Sequence, residues 1–224
     1  MLWTMPCLPR HLVPVMPEDD SLELVADQVR ECPLCDLCRT RTHAVPGAGN
    51  GSAQVMFIGE GPGWNEDQQG LPFVGAAGKY LDELLGIAKL KRPDVFITNV
   101  VKCRPPGNRD PLPEEIAACS GYLERQISLI DPDVIVTLGR FSMARWFPGD
   151  KISRIHGQEK RFGKRTVIPM YHPAAALRSP AVKESLEADF ARVPDVVAKS
   201  ARTRDDTVDA AMRELDSTDQ LPLF

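Results

Sequence analysis

The sequence predicts an α/β fold in which a mostly parallel sheet carries helices on both faces, and two observations point there. Four short apolar runs, near 54–58, 95–100, 133–138 and 166–170, read as buried strands. Between them lie stretches with apolar residues at helical spacing, near 76–90, 113–130 and 140–147. Strands that alternate with helices in this way build a parallel sheet, because a parallel pair needs a crossover between its members. No internal repeat is present. At 224 residues the chain can bury one good core with tails, and we expect a single domain over 20–200.

The elements can be justified in order. Residues 1–19 are rich in proline without a clear period and read as a disordered extension. Asp20, with Glu23 three residues later, makes a capping-box start for a helix over 21–31. The first strand, Gln54–Ile58, runs into a long loop, Gly59 to Gly78, that leads to the helix beginning near residue 76. Six glycines and two prolines let this loop turn tightly and approach a ligand closely, and Glu60, Glu66, Asp67 and Phe73 add three carboxylates and an aromatic face. Such a loop suits something flat and polar. Neither a Gly-x-Gly-x-x-Gly fingerprint nor a Walker lysine pattern is present, which argues against a dinucleotide or nucleoside triphosphate.

In parallel sheets ligands sit beyond the carboxyl ends of the strands. The residues at those ends are Glu60, Asn99, Gly139 and His172, and three of these four are polar groups able to converge on one ligand.

Charge is unevenly spread. The formal net charge is -4, but residues 1–31 hold two Lys/Arg against six Asp/Glu, and residues 181–224 hold six against ten. The centre is therefore positive, and a basic face for a polyanion is permitted. No apolar run of about 18 residues and no signal-peptide pattern occurs, so we expect a cytoplasmic protein without a membrane span.

Six cysteines in such a chain point to metal chemistry rather than disulfides. Cys32-x-x-Cys35 pairs at a distance with Cys103 and Cys119, the latter two separated by fifteen residues. Four thiolates can close a tetrahedral zinc site or hold a [4Fe–4S] cluster, and spacing does not choose between them. Cys38 is a further candidate in the first run, and Cys7 sits in the N-terminal extension.

Longer motifs add a resemblance. Gly59-Glu-Gly-Pro-Gly63, Glu66-Asp67, Gly70-x-Pro-Phe-Val-Gly75, Asn99-Val-Val-Lys-Cys-Arg-Pro-Pro106 with Asn108-Arg109, and His172-Pro-Ala-Ala-Ala-Leu-Arg178 resemble the family 4 uracil-DNA glycosylases. They cover residues 30–180 in unbroken order. The resemblance implies a three-layer α/β/α sandwich around a four-stranded parallel sheet, and a structural [4Fe–4S] cluster on Cys32, Cys35, Cys103 and Cys119. Cys35 is preferred to Cys38 because its distance to Asn50 matches the family pattern.

It also implies roles. Phe73 would stack on a uracil flipped out of DNA, and the amide of Asn99 would read its O4 and N3 edge and reject cytosine. His172 would stabilise charge growing on uracil O2, assisted by backbone N–H groups of the first loop, which brings in Gly61. The best-known uracil-DNA glycosylases carry an aspartate where this chain has Gly61, so the water falls to Glu60 first, with Glu66 as the rival. Glu66 could instead brace the loop, and Asp67 could cap a helix. Lys102, Arg104, Arg109 and Arg178 are candidates for phosphate contacts.

Two departures stand out. Many relatives carry a bulky Leu where this chain has Ala176, so the wedge that fills the gap left by the flipped base falls to Leu177. Ser153-Arg-Ile-His156-Gly157 is similar to a segment of a related family that traps uracil-DNA covalently, but the insertion that carries the histidine there is missing here.

The acidic stretch 201–219 reads as a flexible tether, and the terminal Gln220-Leu-Pro-Leu-Phe224 resembles the peptide by which bacterial repair proteins dock on the sliding clamp. The expectation is a monomeric bacterial enzyme working at the nucleoid on uracil-containing DNA.

Overall fold

The computed structural model describes residues 20–201; the N-terminal extension with Cys7, the acidic tail and the clamp-like peptide lie outside them. The four expected strands are present as β2 (Val55–Gly59), β3 (Phe96–Asn99), β4 (Val134–Leu138) and β6 (Arg165–Met170). All four pair in parallel, in the order β3-β2-β4-β6. The sheet is wider than expected, because β1 (Ala48–Gly49) and β5 (Lys160–Phe162) add antiparallel edges to β3 and β6. Both are short and have little apolar periodicity, which leaves them no sequence signal.

Nearly every residue of β2, β3 and β4 is buried, as strands covered on both faces must be. One face packs against α1 (Leu22–Glu31) and α4 (Pro113–Ile130), through Val25, Val29, Met56, Ile58, Leu123 and Ile135. The other packs against α3 (Ala76–Ile87) and α8 (Pro180–Ala191), through Phe57, Leu81, Leu84, Val136, Leu186 and Phe190. This is the α/β/α sandwich.

Three expectations need correction. Asp20 does not cap α1. Ser21 does, accepting from the Leu24 N–H at 3.1 Å, while Asp20 forms a buried ion pair with Arg125 of α4, Nε donating at 2.7 Å. The helix expected over 140–147 is only the single turn α5 (Arg140–Met143). The Gly59–Gly78 loop is not wholly irregular, since α2 (Trp64–Gln69) forms inside it. Gly70, at φ 69, then stops α2 in the left-handed conformation that a glycine adopts without strain.

The two strands that follow β2 in the chain, β3 and then β4, lie on opposite sides of it. This reversal opens a crevice beyond the strands' carboxyl ends, where α/β proteins bind ligands.

Candidate active site

The crevice holds a cavity of about 330 Å³, lined by Glu60, Gly61, Glu66, Phe73, Asn99, Arg109, His172 and Arg178 among others. A second opening, about 490 Å³, lies beside it and shares Glu60, His172 and Arg178, adding Arg140 and Tyr171. Eight of the expected site residues therefore meet in one place.

Backbone bonds fix the floor. The strand ladder continues past β2 and β3, with Val100 N–H donating to Gly59 O at 3.0 Å and Val101 N–H to Glu60 O at 3.1 Å. Gly59 must lack a side chain, because a Cβ there would come within 2.3 Å of Asn99 Oδ1 and 2.7 Å of the Phe73 ring. That absence lets the amide and the ring close on each other.

Asn99, at the end of β3, is 1 % exposed, and its Oδ1 has no hydrogen-bond partner. A buried polar atom without a partner costs about 1–3 kcal/mol, and a ligand N–H arriving in the cavity would recover it.

His172 follows β6 and begins the short helix α7 (Pro173–Ala176), its Nδ1 accepting from the Ala174 N–H at 3.1 Å. Burial pushes its pKa down to about 4, against a smaller opposing pull from the Glu66 carboxylate. The imidazole is thus neutral, and with Nδ1 engaged as acceptor the proton resides on Nε2. Its ring stacks against Phe73, centroids 5.6 Å apart.

The two carboxylates separate. Glu66 is a brace, its Oε1 accepting from the N–H groups of Val74 and Gly75 at 2.8 Å each and its Oε2 from Gly63 at 3.1 Å. Those three bonds stitch both ends of the loop to α2. Glu60 is half-buried, and its pKa is raised by burial and by Asp110, with Arg140 pulling the other way. Asp67 is not a helix cap; its Oδ1 accepts from the Thr42 N–H at 2.9 Å, tying the loop to the segment before β1.

Among the cations, Arg109 and Arg178 line the cavity and Arg104 lies nearby, its Nε donating to Asn108 Oδ1 at 2.6 Å. Arg109 grips Glu115 with both of its terminal nitrogens, at 2.9 and 2.6 Å. Leu177 is 53 % exposed beside Arg178, and Ala176 is buried beneath it. His156 lines neither opening; it bonds Asp189 at 2.7 Å and lies against Tyr171.

Lys102 overturns its expected role. It is 1 % exposed, and its Nζ donates to Thr98 Oγ1 at 2.6 Å, Asn99 O at 2.8 Å and Gln126 Oε1 at 2.6 Å. No phosphate can reach it. Its three protons are spent holding the end of β3, and burial lowers its pKa to about 8. We expect Lys102→Met to take a donor from each of these acceptors, with Gln126 Oε1 keeping only the Thr98 hydroxyl at 3.2 Å, at about 1–3 kcal/mol for each acceptor left unsatisfied, measurable as a lower denaturation midpoint.

Cys32, Cys35, Cys103 and Cys119 line one narrow apolar cavity between α1, α4 and the end of β3, with Leu34, Leu37, Arg41 and Tyr122. Cys38 is not among the lining residues. Arg41 Nη1 donates to Cys103 Sγ at 3.1 Å and the Lys102 N–H points at Cys119 Sγ, 3.3 Å away. Burial raises Cys35 to about 11 and Cys119 to about 12, so these two thiols stay protonated without a metal. Donors aimed at sulfur fit thiolates, and four thiolates with cationic support fit a metal cluster. Among the described residues no three His, Cys, Asp or Glu side chains close on a single ion.

The family profile described as the uracil DNA glycosylase superfamily matches residues 46–192. A type-4 uracil-DNA glycosylase of Saccharolobus solfataricus is 49 % identical over 196 residues, 83 % of this chain and 91 % of that protein. The chain belongs to the uracil DNA glycosylase superfamily. Similarity to type-4 members recurs: that of Archaeoglobus fulgidus is 47 % identical over 82 % of this chain and 97 % of its own length, and that of Thermotoga maritima 46 % over 72 % and 85 %. The matched residues 46–192 span the parallel sheet, the crevice, Cys103 and Cys119.

Sequence reasoning missed the roles of Arg140 and Tyr171 at the second opening, and that of Arg92, which reaches the Phe73 turn from the segment before β3. None of the three sits in a quoted motif; Arg140 and Tyr171 adjoin the strand-end residues Gly139 and His172, whereas only the folded chain brings Arg92 to the Phe73 turn.

Proposed function

We propose that this chain is a monofunctional uracil-DNA glycosylase, which takes uracil out of the DNA stack, hydrolyses its N-glycosidic bond and leaves an abasic site. The observation that carries this reading is the unpartnered Asn99 Oδ1, buried in the same cavity as Phe73 and a neutral His172. Uracil offers N3–H to that oxygen and O4 to the amide nitrogen. Cytosine presents an acceptor and a donor in those places, so it would leave buried groups unpaired.

The base stacks on Phe73. As the bond from C1′ to N1 lengthens, its electron pair moves into the ring and charge gathers on O2, where His172 Nε2–H donates. A neutral donor suits this task because it gains strength only as the charge develops. Glu60 orients the water whose oxygen bonds to C1′, and the water's proton passes to that carboxylate; Glu66 has no oxygen to spare. Arg178, Arg104 and Arg109 face the phosphates, and Leu177 enters the stack.

Cys32, Cys35, Cys103 and Cys119 hold the [4Fe–4S] cluster in this reading. When bound it supplies a covalent staple between α1, α4 and the loop after β3, with no redox step in the reaction.

No described helix is long and apolar enough to cross a membrane, and the substrate assigns the enzyme to the compartment that holds the DNA, where we take it to act as a monomer. For the terminal Gln220–Phe224, deletion is expected to leave uracil release from oligonucleotides intact and to abolish pull-down by a bacterial sliding clamp; unchanged pull-down would remove the clamp from the picture.

The test is incubation with a single-stranded oligonucleotide carrying one uracil. Strand scission after alkali, and not before it, supports a monofunctional glycosylase. Absence of uracil release by cluster-loaded protein would refute the reading and leave a DNA-binding iron–sulfur module as its successor.

A further inference from the structure

Phe73 holds a backbone conformation that aromatic residues rarely take, with φ at 51°. Strain of this kind persists only where the surroundings enforce it, and two neighbours do so here. Gly78 of α3 lies so close that a Cβ would come within 1.9 Å of Phe73 O. On the other side stands Arg92, whose Nη2 donates to Phe73 O at 2.9 Å and also to Pro72 O. Its Nη1 is anchored in turn by Asp82 of α3, at 2.8 Å.

We propose that Arg92 is a positioning residue that keeps the Phe73 ring in place to stack on the flipped base. The planar fork of a guanidinium can span two consecutive carbonyls and a carboxylate at once, which an ammonium cannot do with fixed geometry. Arg92 lines neither opening of the crevice, so it acts through the turn and not on the substrate. Asp82 completes the device by fixing the guanidinium to the helix that Gly78 packs under the turn. The consequence is specific: losing Arg92 should impair steps that need a stacked base and spare those that need only the DNA backbone.

This inference rests on Phe73 being the stacking platform, and the test separates the two. Uracil release is measured for Arg92→Gln, Phe73→Ala and the double variant, alongside affinity for single-stranded DNA with an abasic site, which has no base to stack. Arg92→Gln is expected to lower kcat/KM by about 10- to 100-fold, the scale of a misplacement of about 1 Å. It should leave abasic-DNA affinity at the parent value and add nothing to the loss caused by Phe73→Ala. Asp82→Asn, which keeps the arginine and the fold, should show a smaller loss of the same pattern. Losses that add in the double variant, or abasic-DNA affinity that falls in step with uracil release, would overturn the role of Arg92. A silent Phe73→Ala would overturn the stacking assignment, and the proposal with it.

Discussion

Asn99→Ala is expected to cut kcat/KM for uracil release by about 10³- to 10⁴-fold while leaving the protein as stable as the parent or more so. The loss follows from the pocket's construction. A site built to hydrogen-bond its substrate rejects an analogue that leaves a buried group unpaired by about 10⁴–10⁵ in favourable cases, and removing the protein's half of the pair forfeits the same interaction. The unchanged or raised stability follows from the same atom seen from the free protein. Asn99 Oδ1 is buried with no partner, so removing it relieves a desolvation cost that folding now bears. Affinity for undamaged DNA should hold, since phosphate contacts supply it. Denaturation midpoints and single-turnover rates on one preparation check both halves. A variant that loses activity and stability together would show the amide to be structural.

His172→Ala is expected to lower the rate by about 10²–10³-fold, the usual cost of a lost donor at a developing oxyanion. The parent rate should show no histidine titration between about pH 5.5 and 8, because the imidazole stays neutral until its pKa of about 4. Stability carries the matching sign. The unfolded chain binds this proton near pH 6.5, and the folded chain only near 4. The contribution is complete above pH 6.5 and is lost as the pH falls toward 4, a change of about 3 kcal/mol. His172→Ala should remove that part of the acid sensitivity. A parent rate that rises with a pKa near 6.5 would mean that an imidazolium does the work, and would contradict the assignment.

The second result depends on a tautomer that no sequence states. His172 is legible as a polar residue after a strand, but its proton is placed on Nε2 by the Ala174 N–H that occupies Nδ1. The sequence puts Glu60 ahead of Glu66 without a local reason; in the structure three backbone N–H groups converge on Glu66 and none of those bonds goes to Glu60.

What the sequence by itself determined is the parallel core of the sheet and which residues stand at its carboxyl ends. Four apolar runs separated by helical stretches admit little besides a parallel sheet, because a strand buried on both faces must be apolar throughout. The glycines of the first loop, with Asn99 and His172 at strand ends, announce the crevice for the same local reason. Tertiary structure decided the rest. Lys102 reads as one more cation in a basic run, yet it is buried on Thr98, Asn99 and Gln126, the last of these 24 residues away. Arg92 reaches the turn at Phe73 from 19 residues further along the chain. Burial and pairing are properties of neighbours in space, and a local pattern carries information only about neighbours along the chain.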